Sequence, residues 1–206
     1  MTCRSLRLRD DQRRFLTGRI LLRLALSHAV RNEVKPEAWN ISPCRFGRPR
    51  VNFPSPLIDF NISHAGELIA IAVDPAHTVG IDAERLTDLP SGDIPTSFLS
   101  PHELDTLGRC APEIRGREFI KLWTLKEALA KRSGEGLSLD FFSLDIAWQP
   151  GRDFATINHH DTTLETRTIA TSSGFYQVSL ARSKAAGPAS WHELNRLPMS
   201  ALTGID

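Results

Sequence analysis

Phe15, Leu22 and Leu26, with Arg19 between them, fall at helical spacing, and Ile20 and Leu24 widen the apolar side, so a helix is predicted over 10–30. Gly18 lies inside it, where glycine costs about 1 kcal/mol relative to alanine, so close packing is expected there. Pro43, Pro49, Pro54 and Pro56 interrupt regular structure over 40–56. Three strands follow, over 57–62, 67–73 and 78–84, with turns marked by Ala65-Gly66 and Asp74-Pro75. The second is apolar on both faces and is expected to be central. Short connections predict an antiparallel meander. Pro90, Gly92 and Pro95 mark a link. Ser100-Pro101-His102-Glu103 then reads as a capping box with proline at the first helical position. A further helix should open at Pro112 and run to about Arg132, ended by Ser133-Gly134. Segments 141–148, 163–171 and 175–181 read as strands, and signals weaken from Ala185 on. The pattern is α+β, divided into an N-terminal half over 1–88, a linker over 89–97 and a C-terminal half over 98–206. The halves share a helix-plus-strands outline without a convincing sequence repeat.

Composition narrows the class. The 206 residues suit one large domain or two small ones, and 41% hydrophobic with 24% charged residues is ordinary for a soluble protein. A net charge of +1 supplies no basic field for nucleic acid. The charge is uneven, however: Arg4, Arg7, Arg9, Arg13, Arg14, Arg19 and Arg23 crowd the start, which suits either a phosphate site or a solvated helix face. Cys3, Cys44 and Cys110 form no CxxC pair, so a reducing, cytoplasmic setting is expected. No apolar run approaches the ~18 residues of a membrane span. Asp10 and Asp11 argue against an Arg-rich transit peptide.

Three segments carry candidate chemistry. In Val79-Gly80-Ile81-Asp82-Ala83-Glu84, strand alternation sends Val79, Ile81 and Ala83 to the core and puts Asp82 and Glu84 side by side, with Gly80 leaving room. Two such carboxylates repel unless a cation lies between them, and a hard cation such as magnesium meets that need. A pair of acids on a solvated face is the simpler alternative. In Trp123-Thr124-Leu125-Lys126-Glu127-Ala128-Leu129-Ala130-Lys131, positions 123, 127 and 131 line one helix face. Glu127 there is a third oxygen ligand or a base, Lys131 a phosphate contact, unless the two form an ordinary ion pair. In Phe60-Asn61-Ile62-Ser63-His64, Ser63 and His64 sit at a strand end, able to donate to phosphate; as strand neighbours they point to opposite faces, which argues against a nucleophile–base pair. Three carboxylates, scattered cations and no activated nucleophile suggest metal-assisted chemistry at phosphorus.

These motifs, with Phe46-Gly47-Arg48-Pro49, occur in the order found in 4′-phosphopantetheinyl transferases. The chain resembles that family over about residues 3–181, most closely its larger, surfactin-synthetase-activating (Sfp) type. Gly134-Glu135-Gly136-Leu137-Ser138-Leu139 resembles the loop after the family's Trp-x-x-Lys-Glu helix. The resemblance implies two similar α/β halves with pseudo-two-fold symmetry and coenzyme A in the cleft between them. It implies magnesium (manganese being possible) on Asp82, Glu84 and Glu127. Glu127 would be the base for the acceptor serine, directly or through water, and Lys131 would contact the pyrophosphate and stabilise the leaving 3′,5′-ADP. Ser63, His64 and Arg14 would contact coenzyme A phosphates. Arg48 stands where the family usually has lysine, with a different fork geometry. Family members carry a further strand and basic residues ahead of the first helix, so the first half is expected to be shortened, with Arg4 or Arg7 supplying charge. The implied activity transfers the 4′-phosphopantetheine arm to a serine of an apo acyl or peptidyl carrier protein, by a cytoplasmic monomer without nucleic-acid or membrane partners. The rival readings are a magnesium-dependent phosphohydrolase and a degenerate, non-catalytic binder of coenzyme A or carrier.

Overall fold

The computed structural model describes residues 9–43, 48–54, 57–86, 97–152, 154–157 and 161–194. They fall into two compact units, treated separately: a smaller one of the residues up to Phe60, Val73–His77 and the residues from Ala186 on, and a larger one of Asn61–Ala72 and Thr78–Ala185. Helices and antiparallel strands both contribute, so the chain is α+β. Most of the expected linker, 89–96, lies outside the described residues.

In the smaller unit α1 spans Arg9–Ala29, as the periodicity predicts, and buries Ile20, Leu22 and Leu26. Gly18 is not a close-packed point: a Cβ there would meet nothing within 4 Å among the described residues. After the helix, Asn32 takes a positive φ of 62° and its N–H donates to the Ser27 carbonyl at 2.7 Å. A single 3-10 turn, Pro36–Ala38, then delivers Trp39, whose buried indole donates to Ser27 Oγ at 2.9 Å. The proline-rich stretch is more regular than its composition suggests. β1 (Asn40–Pro43) and β2 (Pro49–Phe53) pair antiparallel, Ile41 opposite Val51. Pro43 and Pro49 face each other at the end of this ladder where the chain passes from β1 to β2, so the prolines bound the strands, where a missing N–H is tolerated, and do not break them.

The larger unit holds a five-stranded antiparallel sheet in the order β5-β9-β8-β7-β6. Its strands are β5 (Val79–Arg85), β6 (Ile146–Trp148), β7 (Phe154–Ile157), β8 (Thr162–Thr171) and β9 (Gly174–Ser183). The last two form a long hairpin. β3 (Asp59–Ala65) and β4 (Leu68–Asp74) form a two-stranded sheet of their own. The meander therefore stops short: β4 is not central, and β5 takes its ladder from the distant β9, with Asp82 opposite Ser179 and Glu84 opposite Gln177. Asn61 and Ser63 on β3 explain the difference. Their side chains accept hydrogen bonds from Ile81 N (2.9 Å) and Ala83 N (3.2 Å). These two N–H groups lie on the edge of β5 away from β9, since alternate residues address the same edge. β3 reaches that edge with side chains in place of backbone.

α2 (Pro101–Gly108) carries the predicted capping box, Ser100 Oγ accepting from Glu103 N and Glu103 Oε2 accepting from Ser100 N at 2.8 Å. α3 (Pro112–Ser133) ends on Gly134 at φ 80°, the left-handed conformation glycine takes without strain. The core gathers Leu122, Leu125, Ala128 and Leu129 of α3 with Leu99, Ile146, Trp148, Leu164 and Ala181. α3 lies so close to β5 at Gly80 that a Cβ there would fall 2.0 Å from the Ala128 carbonyl oxygen and 2.5 Å from Arg132 N, both backbone atoms. Gly80 thus admits the helix; it does not leave room beside the carboxylates, as the sequence suggested. Gly80→Ala should push α3 off the sheet and destabilise by about 1–3 kcal/mol, the usual cost of overpacking. Urea unfolding checks this, and an unchanged midpoint would contradict the contact.

Lys126 organises the other end of the unit. Fully buried, its ammonium contacts Glu103 Oε2 at 2.6 Å and the carbonyls of Phe98 (2.8 Å), Phe141 (2.6 Å) and Leu144 (2.8 Å). The predicted strand over 141–148 shrinks to β6 for this reason: the carbonyls of Phe141 and Leu144 serve Lys126, while Asp140 caps the turn through Phe142 N. Glu103 Oε1 accepts from Ile146 N at 2.9 Å. Burial pushes the Glu103 carboxyl up and the Lys126 ammonium down, and the opposite charge of each resists the shift. No helix among the described residues is long and apolar enough to cross a membrane.

Candidate functional site

β5 and α3, locked together at Gly80, present their polar residues to one another. Asp82 is buried on β5 with 4% of its surface exposed, on a strand that pairs with β9 and is packed by α3. Its Oδ1 accepts from Ser63 Oγ at 2.9 Å and from Lys131 Nζ at 2.5 Å. Its Oδ2 is buried with no hydrogen-bond partner among the described residues. Ser63 Oγ also accepts from Lys131 Nζ at 3.1 Å, so Ser63, Asp82 and Lys131 form a closed triangle. With one donated and two accepted bonds, the Ser63 hydroxyl uses its full capacity.

Glu127 lies one turn before Lys131 on α3 and is half-buried. Burial raises its pKa above the ordinary carboxylate range, the Asp82 charge raises it further, and Lys131 works against both. The packing of α3 on β5 thus brings Asp82, Glu127 and Lys131 into one electrostatic neighbourhood. Trp123, on the same face, turns to the core instead, packing against Phe98 at 4.8 Å between ring centroids. Glu84 follows two residues after Asp82, partly buried. Among the described residues, no three His, Cys, Asp or Glu side chains are gathered as a metal-binding group. Carboxylates without a cation between them repel, and here Lys131 already satisfies one oxygen of Asp82.

The remaining predicted residues are placed as follows. His64 is exposed beside Ser63 on β3, and the two point to opposite faces as expected. Arg14 and Arg48 belong to the smaller unit. Arg14 is half-buried on α1, and Arg48 binds Asp59 Oδ2 at 2.8 Å and the Phe60 carbonyl at 3.2 Å. Sequence reasoning missed Asn61, which fixes the site strand, and the Lys126–Glu103 pair, which fixes the site helix. Asn61 was discoverable: with Ser63 it makes a period-two polar pair between Phe60 and Ile62. Lys126 also left a signal: it follows Leu122 by four residues and precedes Leu129 by three, on the apolar face of α3, and it is the lysine of the Trp-x-x-Lys-Glu motif.

Comparison with known proteins identifies the family. The profile of the 4′-phosphopantetheinyl transferase superfamily matches residues 78–181, which hold β5 and α3, and one described as "4′-phosphopantetheinyl transferase, N-terminal" matches residues 2–76. A 4′-phosphopantetheinyl transferase of Bacillus subtilis is 34% identical over 145 residues, 70% of this chain and 62% of the relative. The 4′-phosphopantetheinyl transferase ffp of Bacillus subtilis is 29% identical over 175 residues, 84% and 75% of the respective chains. The 4′-phosphopantetheinyl transferase Sfp of Bacillus subtilis (strain 168) is 30% identical over 144 residues, 70% and 62%. The chain thus spans less than two thirds of the length of two of these three relatives. The superfamily match covers half of the chain and contains the acidic strand and the Glu127–Lys131 helix, and the chain belongs to the 4′-phosphopantetheinyl transferase superfamily.

Proposed function

We propose that this chain transfers the 4′-phosphopantetheine arm of coenzyme A to a serine of an apo acyl or peptidyl carrier protein, releasing 3′,5′-ADP. The observation that carries the proposal is the joining of Asp82, Glu127 and Lys131 by β5 and α3 within the superfamily match. The site suits a hard divalent cation: Asp82 keeps a buried oxygen without a hydrogen-bond partner among the described residues, and Glu127 is destabilised by the Asp82 charge. Asp82, Glu84 and Glu127 would hold magnesium or manganese, which when bound neutralises charge on the pyrophosphate.

Glu127 takes the proton of the serine hydroxyl. The serine oxygen then bonds to the phosphorus of the phosphopantetheine arm, and the bond from that phosphorus to the bridging oxygen of the pyrophosphate breaks, leaving its electron pair on 3′,5′-ADP. Lys131 faces the negative charge of that leaving nucleotide. His64, Ser63, Arg14 and Arg48 are assigned to the phosphates of coenzyme A. The two similar halves, 1–88 and 98–206 with linker 89–97, and a cytoplasmic monomer belong to the same reading.

The test is direct. The protein is mixed with coenzyme A, magnesium and an apo carrier protein, and the carrier is weighed by mass spectrometry. A gain of one phosphopantetheine arm is expected. An unmodified carrier, with or without breakdown of coenzyme A, would refute the proposal.

A further inference from the structure

Under the proposed function, Asp82 and Lys131 each have another task, the carboxylate toward metal and the ammonium toward pyrophosphate. The structure shows them bound to each other. Lys131 Nζ lies 2.5 Å from Asp82 Oδ1 and 3.1 Å from Ser63 Oγ, so strand residues on both β5 and β3 hold the ammonium. The two partners differ in mobility. Asp82 is fixed by a buried strand and by Ser63, whereas the Lys131 side chain is 28% exposed on a four-carbon stem. Its head can leave Asp82 without any shift of α3. Two cations on one carboxylate repel, so Lys131 and a metal ion compete for Asp82.

We propose that Lys131 is a placeholder cation. It neutralises buried Asp82 until coenzyme A arrives; the pyrophosphate then draws the ammonium away and makes Asp82 available to the metal. The inference rests on the functional reading above. It accounts for the stability of a buried carboxylate in the absence of metal, since an uncompensated buried charge is strongly destabilising. It also makes loading cooperative: coenzyme A strengthens metal binding, and by linkage metal strengthens coenzyme A binding by the same factor.

The experiment measures Mn²⁺ binding by the electron paramagnetic resonance of the free ion, with no carrier present. It compares the wild type with Lys131→Met, Lys131→Gln, Arg132→Gln and Asp82→Asn, each with and without coenzyme A. Both Lys131 variants should bind Mn²⁺ alone about tenfold more tightly than the wild type, within the usual range of coupling between sites. Coenzyme A should then improve their Mn²⁺ affinity less than it improves that of the wild type. Arg132, whose guanidinium is held by Asp161 at 3.0 Å, controls for general loss of positive charge, and its variant should shift Mn²⁺ binding far less. Unchanged or weaker Mn²⁺ binding in the Lys131 variants, or an equal gain in Arg132→Gln, overturns the placeholder role. Asp82→Asn tests the underlying reading separately: wild-type Mn²⁺ binding by that variant with coenzyme A present removes Asp82 from the metal site, whatever Lys131 does.

Discussion

Glu127→Gln is expected to lower carrier modification by about 10²–10⁴-fold, the typical contribution of a positioned general base. Glutamine keeps the shape and one acceptor oxygen but cannot take the serine proton. Coenzyme A affinity should fall much less, because the nucleotide contacts are assigned to Lys131, His64 and the arginines. The pH profile gives an independent reading. Burial, and then the Asp82 charge, raise the Glu127 pKa, with Lys131 opposing. A base works once deprotonated, so kcat/KM should climb with pH on a limb that belongs to Glu127. The variant's residual rate should lack this limb. Wild-type rates in Glu127→Gln, or an acidic limb that survives the substitution, would remove Glu127 from the role of base.

Lys126→Met should produce the largest loss of stability, about 3–5 kcal/mol, the cost of breaking a buried ion pair by removing one partner. Glu103 would be left in the core without its counter-charge, and the carbonyls of Phe98, Phe141 and Leu144 would lose their shared donor. Glu103 already carries a raised pKa with Lys126 present. In the variant its folded pKa lies higher still above the unfolded value. The sign follows: the folded form holds the proton, so the variant is most stable at acidic pH and loses stability as pH rises through the folded pKa. The second change Glu103→Leu should recover part of the loss, since replacing both members of a buried pair is far milder than removing one. Urea unfolding of single and double variants at two pH values checks this. A Lys126→Met midpoint equal to wild type would show the clamp to be dispensable.

The long elements were legible in the sequence: α1, α3, the α2 capping box and the strands over 163–171 and 175–181 that become β8 and β9 each follow from local pattern or a cap. The strand partners were not. Which strand pairs with β5 depends on a segment nearly a hundred residues away, which leaves no local signature; the polar pair Asn61 and Ser63 is visible in the sequence, but not the edge that it meets. Prolines misled in 40–56 because their effect depends on whether they fall inside a ladder or at its end. In the site, period two on β5 pairs Asp82 with Glu84 and period four on α3 pairs Glu127 with Lys131, but no period within one element says that Lys131 meets Asp82 across the two. Gly80 was misread because its neighbour is helix backbone, which alternation along one strand cannot reveal.

The side-chain bridge from β3 to β5 bears on self-association. β5 is the outermost strand of its sheet, and an outermost strand with bare N–H groups is a template on which another chain can add. Asn61 and Ser63 occupy two of those groups with side-chain oxygens, leaving nothing there for an intruding backbone to accept. Ser63 therefore serves two ends: it orients Asp82 and blocks self-association along the strand that carries it. Drift at this position would be constrained by solubility as well as by chemistry.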